Sequence, residues 1–205
     1  MKRLIPLCVL LAAGGCSGKP GRVTPPRVDA DGAAAAAIVE FDKNNDQQLA
    51  VDELAASPEL THALQSYDAD KDGRLSQAEI AAGIRRWSEG SMGATVWPFQ
   101  VTMNGRALEG AEVTIIPAAF LGDAIEPASG VSAQGGRGSL GIALEALPAN
   151  APKRPIVQPG LYRVEITHPS TPIPAKYNTT TKLGLEVASD TISPSGSVWA
   201  LTSGR

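Results

Sequence analysis

Asp68-Ala69-Asp70-Lys71-Asp72-Gly73-Arg74-Leu75-Ser76-Gln77-Ala78-Glu79 is the stretch from which the rest of the chain can be read. Its acids fall at positions 1, 3, 5 and 12 of the twelve. A hard dication such as calcium prefers oxygen, and takes about 6–8 oxygen ligands at this kind of spacing. Gly73 at position 6 permits a sharp turn through positive φ. Arg74 at position 7 needs no ligand side chain, because its carbonyl is the ligand. Ser76 at position 9 can hold a water, and Glu79 can close the shell with both oxygens. An acidic surface turn would require none of this register. The stretch predicts a calcium loop with Asp68, Asp70, Asp72, Arg74, Ser76 and Glu79 as ligands.

A second twelve-residue run lies upstream, from Asp42 to Glu53. Asp42, Asn44, Asp46 and Glu53 repeat the ligand types at positions 1, 3, 5 and 12, and Gln48 would give its carbonyl. Position 6 is Gln47, where positive φ costs on the order of 1 kcal/mol for a non-glycine residue. Position 9 is Ala50, which has no group to hold a water. This loop is expected to bind more weakly. Leu49 and Leu75 both fall at position 8, the place where two such loops join through a short antiparallel bridge. The paired pattern resembles the EF-hand. The loops start only 26 residues apart, from Asp42 to Asp68, so the helices between them must be short. That spacing is similar to compact bacterial pairs, and disfavours a large groove of the calmodulin kind.

The flanking helices are legible. Ala30 to Phe41 is alanine-rich, and Asp29 or Asp31 can cap it. Val51 to Ala56 leaves the first loop. Ser57-Pro58 is a cap followed by proline at the first helical position, opening a helix to Tyr67. Ser76 and Glu79 fit a capping box, after which Ile80, Ile84 and Trp87 form a narrow apolar stripe.

Outward from this core, the N-terminus begins Met1-Lys2-Arg3 and continues with an apolar run from Leu4 to Ala13. A basic start and a short apolar core read as a secretory signal, too short to span a bilayer. Ala13-Gly14-Gly15-Cys16-Ser17 resembles the lipobox of bacterial lipoproteins. The resemblance implies cleavage before Cys16 and a lipid on its thiol, with the outer membrane favoured because Ser17 is not an Asp. Cys8 would leave with the signal, so no disulfide is expected. Residues 17–28 are rich in proline, glycine and base, and read as a tether.

Residues 29–90 hold 13 acids against 5 bases, while residues 91–205 hold 8 of each. An acidic first half suits a cation and excludes nucleic acid, which needs a basic face. Ser88 to Thr95 is small and flexible and marks a boundary. Beyond it the pattern turns to period two: Val96–Met103, Ala111–Ile116, Gly130–Ala133, Ser139–Leu144, Leu161–His168, Leu183–Val187 and Ser197–Leu201 read as strands. Asn104-Gly105 is a hairpin turn. Seven short strands suggest a β-sandwich.

Val101 to Pro117, Pro159 to Ile166 and Ile173 to Asn178 resemble the carboxypeptidase regulatory-like domain, with a departure at Gln134-Gly135-Gly136. That resemblance implies a transthyretin-like (prealbumin) sandwich in the cell envelope, with no catalytic residues. Gly136-Arg137-Gly138-Ser139-Leu140-Gly141 satisfies GxGxxG, but it runs into a strand rather than a helix, so a glycine hairpin is the expectation. His62 and His168 stand apart, and no catalytic triad or zinc motif accompanies them.

The expectation is an α+β multidomain chain. Residues 1–15 are a lipoprotein signal, 16–28 a tether and 29–88 a small all-α EF-hand pair. Residues 89–95 are a linker, and 96–205 an all-β sandwich expected to fold without calcium. The function expected is non-enzymatic: calcium binding beside a lipid-anchored membrane, with an envelope protein or polysaccharide as partner. A dockerin-like plug and an accessory carbohydrate- or protein-binding subunit of an enzyme are the alternatives.

Overall fold

The computed structural model describes residues 23–149, 151–193 and 195–204. The signal, Cys16 and the tether as far as residue 22 lie outside the described residues. Helix α1 (Ala30–Phe41) starts where the Asp29 side chain accepts from Gly32 N at 3.1 Å. Its buried alanines, Ala33, Ala34 and Ala37, make a flat face on which α4 (Gln77–Ser88) lies. Small residues let two helix axes approach closely, and here the approach is sealed at the rim by an Arg85–Asp31 ion pair.

Between them, α2 (Val51–Leu54) is a single turn, shorter than the expected Val51–Ala56. The chain has to free Ser57, which is buried and caps α3 (Pro58–Tyr67) by accepting from Leu60 N. The bridge between the loops is present: β1 (Gln48–Leu49) and β2 (Leu75–Ser76) pair antiparallel, with Leu49 opposite Leu75 and both fully buried.

The second half is one curled, mostly antiparallel sheet. Its strands are β3 (Trp97–Met103), β4 (Arg106–Ala107), β5 (Glu112–Pro117), β6 (Ala128–Val131), β7 (Arg137–Ile142), β8 (Gly160–Thr167), β9 (Gly184–Val187) and β10 (Ser197–Leu201). The order is β10-β3-β7-β6-β5-β8-β9, with β4 folded back on β3 and β10 parallel to β3. Asn104 and Gly105 both have positive φ in the β3–β4 turn, as an Asn-Gly hairpin requires. The alternation of a two-sheet sandwich is therefore met by a single sheet. The reason lies in β7, whose residues Arg137–Leu140 pair with β3 while Gly141–Ile142 turn to pair with β6. One strand that changes partners midway joins what would otherwise be two sheets, and the whole is a mixed α+β fold with a half-barrel sheet.

Packing runs across residues 89–95. Thr95 and Val157 exchange two backbone hydrogen bonds of 2.8 Å, which tie the connection to the sheet. Helices α3 and α4 lie on β8 and β9. In β8, Leu161 and Tyr162 point to opposite faces yet are both fully buried, one under the helices and one inside the curl. The buried apolar residues of both halves form one continuous cluster.

Candidate metal centre

Each loop is built by its own side chains folding back on its own backbone. In the Asp68 loop, Asp68 Oδ2 accepts from Gly73 N at 2.9 Å and Asp72 Oδ1 from Arg74 N at 2.8 Å. Glu79 Oε1 accepts from Ala69 N and Oε2 from Ser76 N, each at 2.9 Å. The Asp42 loop repeats this skeleton. Asp42 Oδ2 takes Gln47 N at 2.9 Å, Asp46 Oδ1 takes Gln48 N at 3.0 Å, and Glu53 takes Lys43 N at 2.8 Å and Ala50 N at 2.9 Å. Short acidic side chains compete for nearby N–H groups in this way, and so bend the chain into a concave ring of oxygens.

The rings gather three carboxylates each: Asp42, Asp46 and Glu53 in one, Asp68, Asp70 and Glu79 in the other, with the oxygens of each set within 4.8 Å of one another. Two oxygens on one calcium stand at most about 5 Å apart, twice a bond of 2.3–2.6 Å. The spacing and the all-oxygen donor set fit a hard dication. Asp72 lies in the ring by sequence but outside that close triad. Asn44 joins the first ring through Oδ1, which accepts from Asp46 N at 2.8 Å. Gln48 opens β1 and Arg74 directly precedes β2, the two residues expected to offer carbonyls.

Gln47 has φ 64° where Gly73 has φ 82°, so the strained conformation expected for position 6 is adopted. A second position was not apparent from sequence: Asn45 and Lys71, at position 4, both have φ 62°. Asn tolerates that region better than Lys, so position 4 favours the Asp42 loop and narrows the difference in strain that position 6 sets between the two loops. Ser76 takes the capping position read for it from the sequence. Its hydroxyl donates to Glu79 Oε2 at 2.8 Å and accepts from Glu79 N at 3.3 Å, closing the capping box of α4.

Backbone donors from Ala50 and Lys43 lower the Glu53 pKa. Glu79 is pushed up by burial but held below the ordinary value by the Ser76 and Ala69 hydrogen bonds. Both loop-closing carboxyls are thus held in the ionised form further into the acid range than an ordinary glutamate.

Behind the loops, α3 and α4 carry a different polar set onto the sheet. Arg86 Nη2 donates to both oxygens of the buried Glu186 on β9, at 2.8 and 2.9 Å. The Arg86 guanidinium also lies 5.5 Å from the Tyr67 ring centroid, and Tyr67 Oη accepts from Trp87 Nε1 at 3.0 Å. A Cβ at Gly184 would meet the Pro58 carbonyl at 2.0 Å, so only glycine lets β9 pass under α3. The remaining candidates are dispersed. His62 faces a groove of about 460 Å³ between α3, β9 and β10. His168 is far along the chain and meets the Glu109 carbonyl at 2.8 Å. The GxGxxG run forms β7 and the turn before it, and only a three-residue 3-10 turn, Leu144–Ala146, follows in place of an α-helix.

Compared with family models, with curated proteins and with solved structures, the chain matches none. No helix among the described residues is long and apolar enough to cross a membrane.

Proposed function

We propose that this chain is a calcium-binding protein of the bacterial cell envelope, held to the membrane by a lipid on Cys16. In this reading residues 29–88 are an EF-hand pair, and the sheet is a transthyretin-like binding module with no catalytic role. The supporting observation is the repeated hydrogen-bond skeleton of the two loops: both bring three carboxylates within 4.8 Å and meet back to back through Leu49 and Leu75. Asp68, Asp70, Asp72, Glu79 and the Arg74 carbonyl would hold one ion. Asp42, Asn44, Asp46, Glu53 and the Gln48 carbonyl would hold the other. A bound calcium would neutralise the converging carboxylates, and this chain's own contribution is to aim them before the ion arrives.

Calorimetric titration tests this reading. Calcium should bind in two steps, with dissociation constants near ~10⁻⁵ to 10⁻³ M, and magnesium should compete poorly. A chain that releases no heat with calcium, or binds magnesium as well, would sink the proposal. Anchoring is checked separately: Cys16→Ser should release the protein from the membrane fraction or block its processing, and mature wild-type protein found soluble with an unmodified cysteine would refute the anchor.

A further inference from the structure

The two loops touch through one charged contact that crosses between them. Arg74 Nη1 donates to Asp46 Oδ2 at 3.0 Å. Asp46 is one of the three carboxylates of the first ring. Its Oδ1 already serves Gln48 N, so Oδ2 is the oxygen left over, and Arg74 and the Asn44 amide (3.2 Å) both engage it. The arrangement runs one way. The position in the Asp42 loop that corresponds to Arg74 is Gln48, a neutral amide.

We infer that Arg74 is an affinity-setting residue for the Asp42 loop: its guanidinium occupies Asp46 and opposes a cation there, so that the Asp68 loop fills first. This inference rests on the calcium reading above. Arg74 is well placed for the task because its backbone belongs to the Asp68 loop. Its N–H donates to Asp72 Oδ1, and the next residue, Leu75, is pinned opposite Leu49. Filling the Asp68 loop would use the Arg74 carbonyl as a ligand and leave the side chain free to stay on Asp46. The two loops are then coupled in opposite senses: the leucine bridge shares order between them, while the arginine raises the threshold of the second. Both side chains are part-exposed, at 46% and 36%, so the pair is screened by salt and its effect is modest.

The test is calcium calorimetry on the full chain at low salt, comparing wild type, Arg74→Met and Lys71→Met. Lys71 sits in the same loop and carries the same charge without an ion pair to Asp46. Arg74→Met should strengthen the weaker step about two- to five-fold, the range an exposed pair of this kind supports. The gain should shrink in ~1 M salt, and Lys71→Met should not reproduce it. A weaker step that is unchanged or weakened in Arg74→Met overturns the inference, as does an equal gain from Lys71→Met, which would assign the effect to net charge alone. Absence of any calcium heat in the wild type is a different result, because it removes the underlying reading itself.

Discussion

The two ends of α4 are held by opposite means. At its start, Ser76 and Glu79 belong to an acidic ring closed by hydrogen bonds to backbone, at the surface and within twelve residues of chain. At its end, Trp87 is 2% exposed and Arg86 grips a carboxylate 100 residues away. The first end is local, polar and charge-rich. The second is long-range and mostly apolar. A helix anchored at both ends ties what happens in the loops to the stability of the sheet.

The strongest way to break that link is Trp87→Ala. Removing a buried indole costs about 3–5 kcal/mol, and here it also strips Tyr67 Oη of its donor. Trp97 and Trp199 lie on the sheet and would report its unfolding by fluorescence. We expect their transition to shift together with the helical signal. Two separated transitions would show that the regions are independent.

Calcium should act next most strongly. At a concentration about 100 times the dissociation constant, a ligand stabilises the folded state by about 2.7 kcal/mol. Because the apolar cluster is continuous, the sheet tryptophans should report that gain too. Glu79→Gln should abolish most of it and remove the tighter calorimetric step. A gain retained in Glu79→Gln would refute the ranking of the loops.

Arg86→Met sharpens the comparison from the other end. Leaving a buried carboxylate unpaired costs about 3–5 kcal/mol, but Arg86 is 34% exposed and water relieves part of that loss. We expect about 2 kcal/mol by denaturant titration, with much less loss when Glu186→Gln is added. Equal losses in the single and double variants would exclude the charge as the cause.

The two ends should also differ in the sign of their pH dependence. Burial pushes the Glu186 carboxyl up, against the pull of Arg86, and burial likewise raises Glu59 at the start of α3. A carboxyl with a raised folded pKa binds its proton more tightly folded than unfolded. Its contribution is full below the ordinary 4.5 and fades as pH rises through the raised value. Glu79 and Glu53 are lowered, so their contribution is present above 4.5 and is lost as pH falls through the lowered value. In chelator, Glu186→Gln should therefore flatten the decline on the alkaline side, and Glu79→Gln the decline on the acid side. Stability curves that change on the same side in both variants would contradict these assignments.

Gln47→Gly is the smallest effect expected. Relieving φ 64° at a non-glycine residue is worth on the order of 1 kcal/mol, and because the loop holds that conformation before any ion arrives, denaturant titration in chelator should show the gain as folded-state stability. A stability that does not rise would mean that Gln47 is not strained in the folded chain.

The loops were legible because their forces are local. A side chain at position 1 reaches the N–H at position 6 whatever the rest of the chain does, so the spacing of Asp68, Gly73 and Glu79 contains nearly all the needed information. The same holds for Ser57-Pro58, for Asn104-Gly105 and for the alternation of β8, where each element's signal lies inside the element. Strand limits were less exact: β6 and β7 each begin two residues before the expected Gly130 and Ser139. Those ends are set by pairing partners rather than by composition.

What only the tertiary structure decided is where surfaces meet. Nothing within Gly184-Leu185-Glu186-Val187 says that its polar side will lie under a helix pair, although a glycine inside a strand hints at a close backbone approach. Glu186 reads as a solvent-facing residue until Arg86 arrives from 100 positions earlier. The partner change in β7, the parallel placement of β10, and the reach of Arg74 to Asp46 have the same origin. Sequence by itself determined the elements and the two oxygen rings, because hydrogen bonds between near neighbours form them. Their assembly was decided by burial of apolar area, a non-directional force that acts between residues distant in the chain.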